Sequence, residues 1–193
     1  MPLYCTDICI YLTRRIVGTM NTLAHKIALS IKRSNAEQTA SVEVMQYALG
    51  IILNTLLVIA GSALLGWMFG FMAQSLLCLA AFVLLRFFSG GFHLRTAAAC
   101  NVSSILICVG LPLLVPYAAS ILFILNAAAL ILMLVFSPNP DINTQIPARL
   151  YPAMKGISVV LVLINFFVQS PVIGLAFLAQ SLTVIPWERR NTR

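Results

Sequence analysis

The twelve Lys and Arg residues fall into four clusters, and the long apolar runs between them carry no Asp, Glu, Lys or Arg. No other feature constrains the fold as strongly. A charged side chain is costly in hydrocarbon, and backbone crosses a bilayer only with its own hydrogen bonds closed, as in a helix. Charge-free runs separated by basic clusters therefore read as membrane-spanning helices joined by solvent-facing loops. Composition agrees: 61% of residues are hydrophobic and 9% charged, against about 25% charged in a soluble domain. A net charge of +7 does not point to nucleic acid, because no basic stripe interleaves with aromatics on a polar face.

About 20 residues cross the hydrocarbon core, fewer when the ends snorkel or the bilayer thins. The sequence predicts six spans: Val44–Leu65, Met68–Leu85, Ala97–Val115, Ala118–Phe136, Gly156–Gln169 and Val172–Trp187. Ser170-Pro171 splits the last two, and one long re-entrant element is the competing reading of that pair. With six spans, all four basic clusters lie on one side: Arg14 to Arg33, Arg86 with Arg95, Arg149 with Lys155, and Arg189 to Arg193. The opposite connections, near Gly66-Trp67, Pro116-Tyr117 and Ser170-Pro171, carry no charge. The excess of Lys and Arg on cytoplasmic loops then predicts a multi-pass membrane protein with both termini and both long loops in the cytoplasm.

The N-terminal third differs. Ile8, Tyr11, Leu12, Ile16, Met20, Leu23 and Ile27 recur at helical spacing with basic residues between them. That pattern predicts an amphipathic helix, lying on anionic membrane lipids or packed on the cytoplasmic face of the bundle. Ser34-Asn35-Ala36-Glu37 reads as a capping box opening the helix that enters the first span. The first twelve residues precede Arg14 and Arg15, the reverse of signal-peptide order, so no signal peptide is expected. Five cysteines, at 5, 9, 78, 100 and 108, give no secreted disulfide framework.

Transport by proton or ion coupling has little support, since no ionisable group marks a path through the spans. Asn54, Gln74, Asn126 and Asn165 are read as polar residues at depth that hydrogen-bond between helices. Gly66 and Gly70 form a weak small-residue pair at a loop. Cys5 and Cys9 lack a second pair of ligands, His25 reads as interfacial, and no metal or cofactor is expected.

One segment stands apart, Arg86-Phe87-Phe88-Ser89-Gly90-Gly91-Phe92-His93-Leu94-Arg95-Thr96-Ala97-Ala98-Ala99-Cys100-Asn101-Val102-Ser103-Ser104. A cysteine protease needs a thiolate nucleophile and an imidazole that takes its proton and later protonates the leaving amine. By composition alone, Cys100 reads as a small apolar filler and His93 as an interfacial side chain. On one continuous helix the two would share a face but stand ~10.5 Å apart along the axis, beyond hydrogen-bond reach. A dyad therefore requires a break in the helix, and Gly90-Gly91 permits one. Thr96 is the predicted N-cap of the third span. It would set Cys100 near the first turn, where the helix dipole and Arg95 favour a thiolate.

The segment resembles the accessory gene regulator B (AgrB) family, membrane-embedded cysteine endopeptidases of Gram-positive quorum sensing. The family pattern is an Arg, a glycine-containing turn, a His, and a Cys seven residues on. It is matched by Arg86, Gly91, His93 and Cys100, with Ser104 four residues past the Cys. Ile146-Pro147-x-Arg149-Leu150 in the next loop is a second similarity. The acidic residue often found before that Ser is replaced by Ser103, and the loop carries fewer lysines than in some members.

The resemblance implies an all-α polytopic membrane bundle of about six transmembrane helices plus the N-terminal amphipathic region. One membrane domain spans 1–193. It comprises an interfacial region at 1–43, a transmembrane bundle at 44–187 with its catalytic loop at 86–100, and a cytoplasmic tail at 188–193. The implied activity removes the acidic C-terminal part of an AgrD-like propeptide. The remainder is retained as an acyl-enzyme on Cys100 and helps to form a cyclic thiolactone or lactone. His93 would be general base and then acid. Gly90 and Gly91 would shape the turn and offer N–H groups to the oxyanion. Arg86 would orient the site, pair with a substrate carboxylate, or simply snorkel. Ser104 and Asn101 are the nearby candidates for a third member. Arg149 and Lys155, in a proline-rich loop expected to be extended, would attract the acidic tail. Family members suggest a homodimer. The rival class is a non-enzymatic membrane peptide exporter or signalling scaffold, in which His93 and Cys100 are replaceable; a small-molecule carrier is a third reading.

Overall fold

The computed structural model of the chain describes residues 3–35, 39–92, 94, 96–139 and 147–186. They form α1 (Leu3–Ser34), α2 (Val42–Met68), α3 (Met72–Ser89), α4 (Ala97–Gly110), α5 (Val115–Ala118), α6 (Leu122–Phe136), α7 (Tyr151–Val168) and α8 (Pro171–Thr183). Turns of 3₁₀ helix lie at Leu111–Leu114, Ala119–Ile121 and Ala148–Leu150. Among the described residues there is no β-strand, only an isolated bridge between Gly90 and Asn139. The protein is an all-α membrane bundle.

Four helical stretches are long and apolar enough to cross a membrane: Val42–Met68, Met72–Ser89, Ala97–Phe136 and Ala148–Val168. The connection expected at Pro116-Tyr117 is instead helical. Pro112 and Pro116 each sit at the start of a short helical piece, where the missing N–H is not needed, so the run bends between 3₁₀ and α geometry without unwinding. Its 40 residues are about twice the ~20 that one crossing needs. α8 has 13 residues, or ~20 Å, and is shorter than the span Val172–Trp187 drawn from the sequence.

The side chains are arranged as lipid demands. Phe123, Ile131, Leu106 and Phe167 are exposed, whereas Ser62, Ser75, Asn126, Asn165, Gln180 and Ser181 are buried. In water so much apolar surface would associate; in a bilayer it meets acyl chains, while Asn126, Asn165, Gln180 and Ser181 find hydrogen-bond partners inside.

Contacts divide the chain into two compact units, Met1–Gly61 with Leu94–Ser103, and Ser62–His93 with Ser104–Arg193. In the first, Ala24 and Ala28 of α1 are fully buried and His25 Nδ1 meets Gln46 Oε1 of α2 at 2.8 Å. α1 is therefore packed at Ala24 and Ala28. Ser34 ends α1, its hydroxyl bonding back to the Ser30 carbonyl at 3.1 Å; Ala36 and Glu37 of the expected capping box lie outside the described residues. Ser41 caps α2 instead, accepting the Val44 N–H at 3.4 Å.

In the second unit, α8 packs against α3 and α6, and α7 against α6 and α3. Asn165 Nδ2 donates to Asn126 Oδ1 at 3.0 Å, tying α7 to α6, and also to the Ser170 carbonyl at 3.1 Å. Gly174 of α8 lies directly over this pair, where a Cβ would stand 2.6 Å from Leu122 Cδ1. Ser170 caps α8 through the Ile173 N–H, so the expected Ser170-Pro171 break is present.

Candidate functional site

α3 ends at Ser89 because Gly90 and Gly91 take φ of 68° and 135°, conformations open to glycine at little cost. α4 restarts only at Ala97. The helix break that the His/Cys spacing requires is therefore present. His93 and Arg95 themselves lie outside the described residues, as does Ile146.

A set of hydrogen bonds fixes the turn. The Gly90 N–H closes α3 on the Arg86 carbonyl at 2.9 Å, and the Gly91 N–H donates to the Asn139 carbonyl at 2.9 Å. Neither N–H is left to face an oxyanion, which corrects the expectation that these two amides supply one. The Phe92 N–H donates to the Thr183 carbonyl at 2.7 Å, and the Asn139 N–H to the Ser89 carbonyl at 2.9 Å. Asn139 Nδ2 reaches the Val184 carbonyl at 3.1 Å. Gly91 is needed here for space as well as conformation: a Cβ on it would lie 2.6 Å from Thr183 Oγ1.

Arg86 is a member of this network. Its Nη2 donates to the Phe92 carbonyl at 2.7 Å, and its Nη1 to Gln180 Oε1 and Thr183 Oγ1, each at 3.3 Å. The guanidinium carbon also stands 5.9 Å from the Phe82 ring centroid, within cation–π range. The structure thus brings Arg86, Gly90 and Gly91 together at the C-terminal end of α8.

Cys100 lies in the first turn of α4. Thr96 caps that helix as expected: its Oγ1 accepts the Ala99 N–H at 3.2 Å and its carbonyl the Cys100 N–H at 3.1 Å. Cys100 is partly exposed and in no disulfide, whereas Cys78 and Cys108 are buried. Asn101 is held by a reciprocal amide pair with Asn54 of α2, the Asn54 Nδ2 donating at 3.0 Å and the Asn101 Nδ2 donating back. In the same unit a groove of about 470 Å³ is lined by Asn21, Glu43, Gln46, Tyr47, Asn54 and Ala97. Ser104 is one turn beyond Cys100 on α4. Among the described residues no three of His, Cys, Asp and Glu group as metal ligands would.

Arg149 and Lys155 are not in an extended loop. Arg149 is exposed in the 3₁₀ turn Ala148–Leu150, and Lys155 is on α7, which starts at Tyr151 rather than Gly156. Pro152, expected to keep this stretch extended, occupies the first turn of α7, where proline is tolerated.

The family model described as accessory gene regulator B matches residues 22–186, most of the chain. The chain belongs to the accessory gene regulator B family. No curated protein and no solved structure gives a significant match. AgrB proteins take part in quorum-sensing peptide processing and act with an AgrD propeptide.

In this AgrB chain the sequence reading passed over Gln180, Thr183, Ser89 and Asn139, which hold the turn. Gln180 carried a signal: it is an amide in an apolar helix and is fully buried. Nothing local identified Asn139 or Thr183, because their partners are distant in sequence. Asn54, Asn126 and Asn165 make the interhelical bonds expected of them; Gln74 is exposed.

Proposed function

We propose that this AgrB protein is a membrane cysteine endopeptidase acting on an AgrD-like propeptide, with Cys100 as nucleophile and His93 as general base and acid. His93 takes the Sγ proton as Cys100 attacks the scissile carbonyl. The tetrahedral oxyanion then collapses, the C–N bond breaks, and His93 gives its proton to the leaving amine. The thioester that remains on Cys100 is open to a precursor thiol or hydroxyl, which closes a ring and returns the thiolate. Catalysis belongs on the cytoplasmic side, where the basic clusters put the Arg86–Arg95 loop.

One observation carries the reading: the sole partly exposed cysteine among Cys78, Cys100 and Cys108 is in the capped first turn of α4, seven residues past His93 and beyond a glycine-enforced helix end. Helix N-terminal amides favour a thiolate, which supports Cys100 over the two buried thiols.

Full-length protein reconstituted with a synthetic AgrD-like propeptide and read by mass spectrometry tests it. Wild type should release the acidic C-terminal fragment and give an acyl adduct on Cys100. Cys100→Ala and His93→Ala should give neither while accumulating normally in the membrane. Cleavage that persists in Cys100→Ala removes the protease reading and favours an exporter or scaffold.

A further inference from the structure

The geometry points to Gln180, with Thr183, as positioning residues that set His93 for proton transfer by locking the Gly90-Gly91 turn onto the end of α8; this inference rests on the protease reading above. Gln180 is fully buried. Nε2 donates to Ser89 Oγ at 3.0 Å and to the Gly90 carbonyl at 2.7 Å. Oε1 accepts from Arg86 Nη1 at 3.3 Å and from Thr183 Oγ1 at 3.1 Å. Both amide donors are used and the oxygen accepts from Arg86, while the single Thr183 hydroxyl proton lies between Oε1 and the Gln180 carbonyl, the latter at 2.8 Å. Such a group, surrounded by apolar helix, is costly to bury unless every bond is made.

The partners show what the amide does. Ser89 and Gly90 are the residues where α3 stops, and Arg86 reaches on to the Phe92 carbonyl. Phe92, in turn, donates its N–H to the Thr183 carbonyl. Two consecutive turns of bonding from α8 thus fix the backbone up to the residue preceding His93. Neither Gln180 nor Thr183 is needed for α8 to form, because a helix closes its own backbone bonds and Ser170 caps it. Removing the amide alone would strand the Ser89 hydroxyl and the Gly90 carbonyl, which costs more than the bond itself. The amide is explained by the turn it holds. Only glycine admits this approach at position 91, so turn and anchor fit each other.

The test compares Gln180→Leu, Gln180→Glu and Thr183→Val in the full-length protein, with Gln74→Leu as a control at an exposed site. Glu at 180 keeps the size and the acceptor for Arg86 but removes both donors. Propeptide cleavage gives kcat and KM, and mass spectrometry of the Cys100 peptide gives its alkylation by iodoacetamide across pH. We expect Gln180→Leu and Gln180→Glu to lower kcat about 10–100-fold with KM within about twofold, the scale of loss that follows ångström-level misplacement of a reacting group. Their alkylation profiles should move to that of His93→Ala. Thr183→Val should shift both readouts the same way by less, and it decides the matter if the Gln180 variants fail to accumulate. Wild-type kcat and alkylation in accumulating variants overturn the positioning role while Cys100→Ala and His93→Ala stay inactive. Cleavage surviving in those last two overturns the protease reading and the positioning role together.

Discussion

Gly91 shows how little freedom one position can have. Its φ of 135° and the 2.6 Å from an added Cβ to Thr183 Oγ1 act in the same direction, so Gly91→Ala must either push α8 away or release the Asn139 and Thr183 bonds. We expect that variant to insert in the membrane and lose at least tenfold in cleavage rate, on the misplacement scale used above; wild-type turnover would show that the turn tolerates repacking. Arg86 belongs to the same account. Whether it met a substrate carboxylate, oriented the site or snorkelled was undecidable in the sequence, because all three leave an Arg at a helix end. The Phe92 carbonyl and the α8 side chains around its guanidinium make it an internal tie. Cys100 was legible earlier, since Thr96 is a good cap three residues before Ala99 and local chemistry alone sets that turn.

At the scale of elements, polar side chains join what apolar surface cannot. Lipid is as apolar as leucine, so helices in a bilayer gain little from hydrophobic contact and more from packing and interhelical hydrogen bonds. The Asn54–Asn101 pair joins α2 to the first turns of α4 beside Cys100. Such bonds average about 0.6 kcal/mol in membranes and reach about 1.7. Asn54→Leu should therefore lower thermal stability by that order, and by more than the double variant Asn54→Leu/Asn101→Leu, which strands no amide. Thermal melts of both in one detergent check the order, and a double variant less stable than the single would show the pair adds nothing. The start of α2 was misplaced in the sequence reading. Ser34 and Ser41 are both fair caps, but α1 runs on to Ser34 and it is Ser41 that opens α2. The expectation of an extended, proline-bearing loop does not hold at Arg149 and Lys155, because Pro152 fits the first turn of α7.

For the whole molecule, the distribution of charge makes the testable claim. Cysteine introduced at Ala148, an exposed position, should react with a membrane-impermeant maleimide only after the cytoplasmic face is opened. Cysteine at Pro116 or Ser170 should react from outside in intact cells. External labelling at Ala148 would reverse the proposed orientation. Twelve basic residues against five acidic ones also predict long-range attraction for an acidic propeptide tail, screened over ~8 Å at physiological salt. Neutralising Arg149 with Lys155 should raise KM more than it lowers kcat, and KM of the wild type should rise with ionic strength in detergent; a flat salt response would leave the basic residues to topology alone. Hydrophobic runs, charge placement and the His/Cys spacing are local, one-dimensional facts, and by themselves they determined that this is an all-helical membrane protein of the AgrB kind with a broken helix between Arg86 and Cys100. Tertiary structure decided what closes on that break. Ser89, Gly90 and Phe92 meet Gln180 and Thr183 from some 90 residues away, and a hydrogen bond between distant residues leaves no spacing in the sequence to read. It exists only because burial in an apolar bundle makes every unpaired amide costly and so selects the one packing in which each finds its partner.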